Sequence, residues 1–112
     1  MRYLFLICAD DKAASQVGTP SHERSPQAWL DEVQRRGLRT LGGRLRPAAE
    51  AKTQRLRDGQ VLVSDGPFAE TAEQIGGFDV MECADLDEAI EVAAKHPFAA
   101  IGSIEIRPLW DE

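Results

Sequence analysis

Cysteine, aromatic residues and long apolar runs are all scarce in this chain, and each shortage removes a class of protein. The two cysteines, Cys8 and Cys83, lie 75 residues apart. They make neither a disulfide framework nor a zinc-ligand cluster, and both fall in strand-like segments where small core residues are expected. The longest apolar run, Tyr3 to Ala9, has seven residues, against the about 20 a membrane-spanning helix needs. It runs straight into Asp10 and Asp11, unlike a secretory signal. The two histidines, His22 and His96, match no metal-ligand spacing with the scattered carboxylates. Gly42-Gly43 and Gly76-Gly77 lack the strand-to-helix setting of a phosphate-binding loop. No metal and no cofactor is expected, and the default location is cytoplasmic.

What remains is an ordinary globular composition: 112 residues, 43% hydrophobic, 29% charged, with no biased tract. That excludes collagen-like, coiled-coil and disordered chains and suits one domain, residues 1–112, with its own core. The net charge of −6 is unevenly spread. Residues 1–63 hold eleven basic and seven acidic side chains, and residues 64–112 hold two and twelve. Eight of the thirteen cations fall between Arg35 and Arg57. Such a stripe could meet nucleic acid, but it lacks interleaved aromatics and the whole chain is acidic, so nucleic acid is not an expected partner. The plainer reading is an arginine-rich face paired with the acidic half or with a second subunit.

The patterning gives the order β-α-β, hairpin, β-α-β. Arg2–Cys8 reads as a strand apolar on both faces. Residues 9–24 form a long connection of the kind often used as a lid. Ser25-Pro26 opens a helix to Arg36, with Trp29, Leu30 and Val33 on its apolar stripe and Gly37 suited to a left-handed end. Leu38–Leu45 is a strand whose Gly42-Gly43 marks a bulge or a close backbone approach. Asp58-Gly59 joins Lys52–Arg57 to Gln60–Ser64 as a hairpin. Phe78–Cys83 is a strand, and Asp85 to Glu88 spells a capping box. Leu86, Ala89, Ile90 and Ala93 form the apolar face of a helix ending before Pro97. Ser103–Arg107 alternates, with Ile104 and Ile106 inward.

This is an α+β, ferredoxin-like split βαβ arrangement with an inserted β-hairpin. Two helices cover one face of the sheet. The other, expected to carry Tyr3 or Leu4 with Met81 and Cys83, is too apolar to leave wet, which predicts a homodimer. The topology gathers residues 9–24, 65–75 and 96–102 on one rim, and with them His22, His96, Asp65, Glu70 and Glu73. Asp65 before Gly66-Pro67 is most simply a turn former; as a catalytic group it would be a base needing a neighbour to shift its pKa. His96 closes a helix, where the dipole favours imidazolium; it is either a plain terminator or an acid–base group. His22 reads as a solvated loop residue.

Asp65-Gly66-Pro67-Phe68, the following Glu70-Thr71 and Gly76-Gly77-Phe78, Asp85-Leu86-Asp87-Glu88-Ala89, His96-Pro97 and the ending Gly102 to Pro108 resemble the DGPF branch of the YCII-related proteins. The resemblance spans essentially the whole chain. It implies a dimeric α/β barrel of two ferredoxin-like sheets, and genes often found beside sigma factors of the extracytoplasmic-function type. In YCII proteins proper, a His on the first helix and an Asp before a proline form a suggested dyad. This chain has no His on Pro26–Arg36, and His96 holds the pre-proline place. The roles could be exchanged, with His96 facing Asp65 as the catalytic pair and Tyr3, Phe68, Glu70 and Arg107 (or Arg2) holding the substrate. Two readings stay open: a small-molecule binder or enzyme of the elimination or isomerisation type, or a regulatory protein acting with a sigma factor or another protein.

Overall fold

A computed structural model of the chain describes residues 1–10 and 25–111. Most of the 9–24 connection, His22 included, lies outside the described residues. The elements are β1 (Arg2–Ala9), α1 (Pro26–Arg35), β2 (Arg39–Arg44), β3 (Lys52–Arg57), β4 (Gln60–Asp65), β5 (Gln74–Glu82), α2 (Leu86–Ala94) and β6 (Ser103–Pro108). Short 3₁₀ turns occupy Ala48–Glu50 and Pro97–Ala99. An antiparallel sheet of order β2-β5-β1-β6 carries both helices, and β3 and β4 pair separately as a two-stranded sheet. The architecture is α+β and consistent with a ferredoxin-like fold interrupted by a hairpin.

Local chemistry explains where the elements begin and turn. Ser25 Oγ accepts from the Ala28 N–H at 3.0 Å, and Pro26 opens α1 where a missing N–H costs nothing. Gly37, at φ +70, ends that helix in the left-handed conformation. Asp85 Oδ1 accepts from the Glu88 N–H at 2.9 Å, while the Glu88 carboxylate reaches back to the Ala84 N–H at 2.8 Å. The reciprocal cap thus lands one residue earlier than in the usual box. Asp58 and Gly59 both have positive φ, 50 and 75, as a type I′ hairpin turn demands.

The core lies between the sheet and the helices. Tyr3, Phe5 and Ile7 from β1 oppose Met81, Asp79 and Gly77 from β5 on the covered face. Trp29 and Val33 from α1 and Ala89, Val92 and Ala93 from α2 close over them. Phe5, Val33, Met81 and Val92 are completely buried, each side chain contributing about 1.5–3 kcal/mol. At the surface Arg36 bridges the helices, with Nη2 3.0 Å from Glu91 and 3.5 Å from Glu88. Lys95 adds pairs to Glu91 and Glu32. These hydrogen bonds from Arg36 and Lys95 hold Glu91 down at about 2. Part of the arginine-rich run therefore pairs with the acidic half, as the charge distribution suggested.

Three expectations need correction. Tyr3, Met81 and Cys83 belong to the covered face, at 2%, 0% and 2% exposure. The open face instead carries Leu4 and Leu6 beside Val80 and Phe78, with Leu41 next to Val80. Strand parity decides this, because directly paired residues share a face. On α2, Leu86 and Ile90 are half exposed and the buried stripe is Ala89, Val92 and Ala93. The small side chains allow close approach of Trp29, whose indole N–H donates to the Val92 carbonyl at 3.0 Å. Finally, β5 starts at Gln74 rather than Phe78. Its glycines continue the ladder through a register shift between Ile7 and Cys8.

Candidate functional site

Where the ends of β1 and α2 meet β2 and the start of β5, a cleft of about 850 Å³ opens on the helix side of the sheet. Ile7, Trp29, Leu30 and Phe98 supply apolar wall, and Gly43, Gly76 and Gly77 place no side chains in it. The segment Leu45–Ala48 and Glu50 form one lip. Its size and lining fall in the range of small-molecule sites. Among the polar residues lining it are His96, Arg39 and Asp79.

His96 is 8% exposed and precedes the 3₁₀ turn Pro97–Ala99, which it caps. Its Nδ1 accepts from the Phe98 N–H at 3.0 Å. An accepting Nδ1 is unprotonated, so the neutral ring carries its hydrogen on Nε2. Burial pushes the imidazole down to about 4. This corrects the expected imidazolium: the helix dipole offers at most about 2 kcal/mol, and removing the charge from water outweighs it. The ring meets Trp29 edge-on, centroids 4.6 Å apart, and stacks on Phe98 at 5.8 Å. Three rings thus form a continuous row.

Arg39 and Asp79 face each other across β2 and β5, Nε to Oδ1 at 2.7 Å. The Asp79 side chain is 8% exposed and the Arg39 side chain 18%. Burial raises the Asp79 pKa against the opposing pull of Arg39. Gly42 lies beside the pair, and a Cβ there would strike the Asp79 carboxylate and sit 2.6 Å from the Phe78 carbonyl oxygen. The glycine pair flagged in the sequence is therefore a close approach, and what approaches is an enclosed ion pair. Nothing in the composition singled out Asp79. The available signal was one carboxylate at a covered-face position between Phe78 and Val80, with an arginine in the neighbouring strand.

Of the six site residues expected from the sequence, only His96 lines the cleft. Asp65 is directly opposite Lys52 in the hairpin ladder and pairs with its ammonium, with the carboxylate 84% exposed. It does not line the cleft with His96. The turn it opens serves the hairpin base: the Gly66 N–H donates to the Ala51 carbonyl at 2.7 Å, and Thr53 Oγ1 donates to the Gly66 carbonyl at 2.9 Å. Phe68 is exposed, with the Arg55 guanidinium 5.9 Å over its ring. Glu70 is exposed as well. Tyr3 is buried under the helices with its hydroxyl 3.7 Å from Met1 Sδ. Arg107 stands on the open face beside Glu105, 3.6 Å away. Among the described residues no cluster of His, Cys, Asp and Glu could hold a metal ion, and no helix is long and apolar enough to cross a membrane.

Helices on one side of an antiparallel split βαβ sheet, with a polar-floored cleft at one end, define a small α+β protein built around a sheet-edge pocket. The profile of the YCII-related domain matches residues 1–112, so the chain belongs to that family. It is similar to an uncharacterised protein of Rhizobium meliloti (strain 1021), 37% identical over 110 residues, covering 93% of this chain and 89% of the relative.

Proposed function

We propose that the cleft binds a small organic molecule and that His96 and Asp79 serve proton chemistry on it, of the elimination or isomerisation type. The observation that carries this reading is the enclosed Arg39–Asp79 pair on a pocket shared with a neutral histidine. A buried ion pair contributes little to stability when apolar residues could replace it, so its placement on a cavity favours a role in recognition. A neutral imidazole with hydrogen on Nε2 can polarise a carbonyl oxygen, and a carboxylate whose pKa burial raises is a stronger base toward a substrate proton than a solvated one. Arg39 orients that carboxyl. Asp79 takes over the part the sequence gave to Asp65.

The motif at Asp65–Phe68 supports placement in the DGPF branch, and the apolar open face supports a homodimer in which two sheets pack together as a dimeric α/β barrel. Leu4, Leu6, Phe78, Val80 and Leu41 would be the buried contacts. A second reading, docking of a protein partner such as a sigma factor, draws on the hairpin: Leu56, Val61 and Val63 are each about three-fifths exposed.

A thermal-shift screen of neutral and charged metabolite-sized compounds, followed by NMR of the Trp29 indole, tests the cleft reading. A ligand that raises the melting temperature should move that indole resonance, and His96→Asn or Asp79→Asn should weaken it. A library in which no compound perturbs Trp29 overturns it.

A further inference from the structure

We infer that the cleft selects a small organic monoanion, a carboxylate attached to an aromatic body; the inference rests on the cleft reading above and narrows it. Charge comes first. The ionic side chains on the cleft are Arg39, Arg44, Arg46, Glu50 and Asp79, with His96 uncharged. Arg39 is matched by Asp79 at 2.7 Å and Arg46 by Glu50 at 2.8 Å. Among the described residues Arg44 has no carboxylate partner, so the described lining holds one uncompensated cation. A pocket with apolar walls concentrates that charge toward an incoming anion, and a guanidinium receives a carboxylate through two parallel N–H donors.

The same arrangement limits the charge of the guest. A dianion such as sulfate would meet one free guanidinium and also the Asp79 carboxylate behind Arg39, whereas a monoanion satisfies Arg44 without excess. The walls then set the body. Trp29, His96 and Phe98 form a row of rings at 4.6 and 5.8 Å, and Leu30 and Ile7 complete an apolar lining. An aryl ring adds to such a row by edge or offset contacts worth more than its area alone. Trp29, His96 and Ile7 are themselves buried, so the apolar surface a guest reaches is on Leu30 and Phe98, and a sugar or a short polar acid would leave that surface wet.

Matched probes test this: 2-naphthoate and 2-naphthamide share shape and differ in charge. Titrated against the Trp29 indole resonance of the whole chain, the acid should bind at least tenfold more tightly than the amide. Inorganic sulfate, a dianion, at equal concentration should not displace it. Arg44→Gln should bring the two affinities within about threefold, a loss of one ion pair's selectivity. Arg57→Gln, on the hairpin and away from the cleft, should keep the full ratio and so exclude an effect of net charge. Equal binding of acid and amide, displacement by sulfate, or an undiminished ratio in Arg44→Gln overturns the monoanion assignment. The cleft reading survives those results. Failure of both probes while neutral library compounds move Trp29 also overturns the assignment alone; a silent library overturns both.

Discussion

In the helix-covered half of the molecule the pair Arg39–Asp79 is enclosed, with side chains 18% and 8% exposed. On the hairpin Lys52–Asp65 stands in solvent at 64% and 84%. Both are lysine- or arginine-to-aspartate contacts between neighbouring strands, yet their physical meaning differs. Around the first, the packing leaves little access for water to take over if a partner is lost, so the contact is tied to that packing and to the protonation of its neighbours. Around the second, water and salt replace either partner at little cost. Ion pairs cannot be ranked by counting them. The proposed site rests on the pair with the smaller access to solvent.

The largest expected effect follows from crowding the enclosed pair. Gly42→Ala puts a methyl group against the Asp79 carboxylate and the Phe78 carbonyl oxygen. Rigid backbone on one side and a held ion pair on the other leave no room to relax, so unfolding stability should drop by about 3 kcal/mol or more. In the hairpin, Gly59→Ala meets no atoms within 4 Å and only the strain of φ +75, costing about 1–2 kcal/mol. Urea denaturation of both variants measures the contrast. Equal losses would erase the distinction between the two regions.

Acid should separate the regions next. His96 takes up a proton near 6.5 when unfolded and near 4 when folded. Between those values the unfolded chain binds more protons, so its stabilising contribution is complete above pH 6.5 and declines as pH falls toward 4. The accumulated loss is about 3 kcal/mol. His96→Asn keeps an acceptor for the Phe98 N–H and removes the titration. Its stability should change less across the same window. If wild type and variant have parallel pH profiles, His96 is not held neutral by burial.

Much of the fold was legible because its signals are local. Ser25-Pro26, Asp85 with Glu88, Asp58-Gly59 and the alternation of Ser103–Arg107 each act within a few residues, and each forms the element it suggests. Legibility failed where the deciding contact is between distant segments. Whether Met81 and Cys83 or Phe78 and Val80 face the helices depends on register against β1, which parity along one strand leaves undetermined. Leu86 and Ile90 looked like core by periodicity, but the contact of Trp29 with Val92 rotates the smaller residues inward. For the proposed site, topology placed residues 96–102 at the end of the sheet, where His96 lines the cleft, and did not point to Asp79, whose partner Arg39 lies forty residues away.

A smaller effect is expected at the hairpin tip. Leu56 and Val61 oppose each other across the ladder and remain about three-fifths exposed. Truncating either to Ser leaves no cavity and should change stability by about 0.5 kcal/mol or less. Val33→Ala in α1, fully buried, should cost about 2 kcal/mol or more by contrast. A large loss at Leu56 or Val61, measured by urea denaturation at dilute protein, would mean that the hairpin is covered in solution. The loss should then grow with protein concentration if a second copy is what covers it.

The smallest effect should come from Asp65→Asn, although Asp65 begins the most conspicuous motif of the chain. The amide loses the charge attraction of Lys52, an exposed pair worth about 0.5 kcal/mol or less. The turn itself is retained because its hydrogen bonds, from the Gly66 N–H to the Ala51 carbonyl and from the Thr53 hydroxyl to the Gly66 carbonyl, do not use the carboxylate. The variant should therefore melt within about 2–4 °C of the parent. His96 should titrate unchanged when its ring carbons are followed by NMR, since burial is what lowers its pKa and Asp65 does not line the cleft. Asp79→Asn is the sharper partner experiment, because it alters a side chain on the same cleft. A shift at His96 from Asp65→Asn with none from Asp79→Asn would restore the pairing suggested by the motif, and would move the proton chemistry from the covered sheet to the hairpin base.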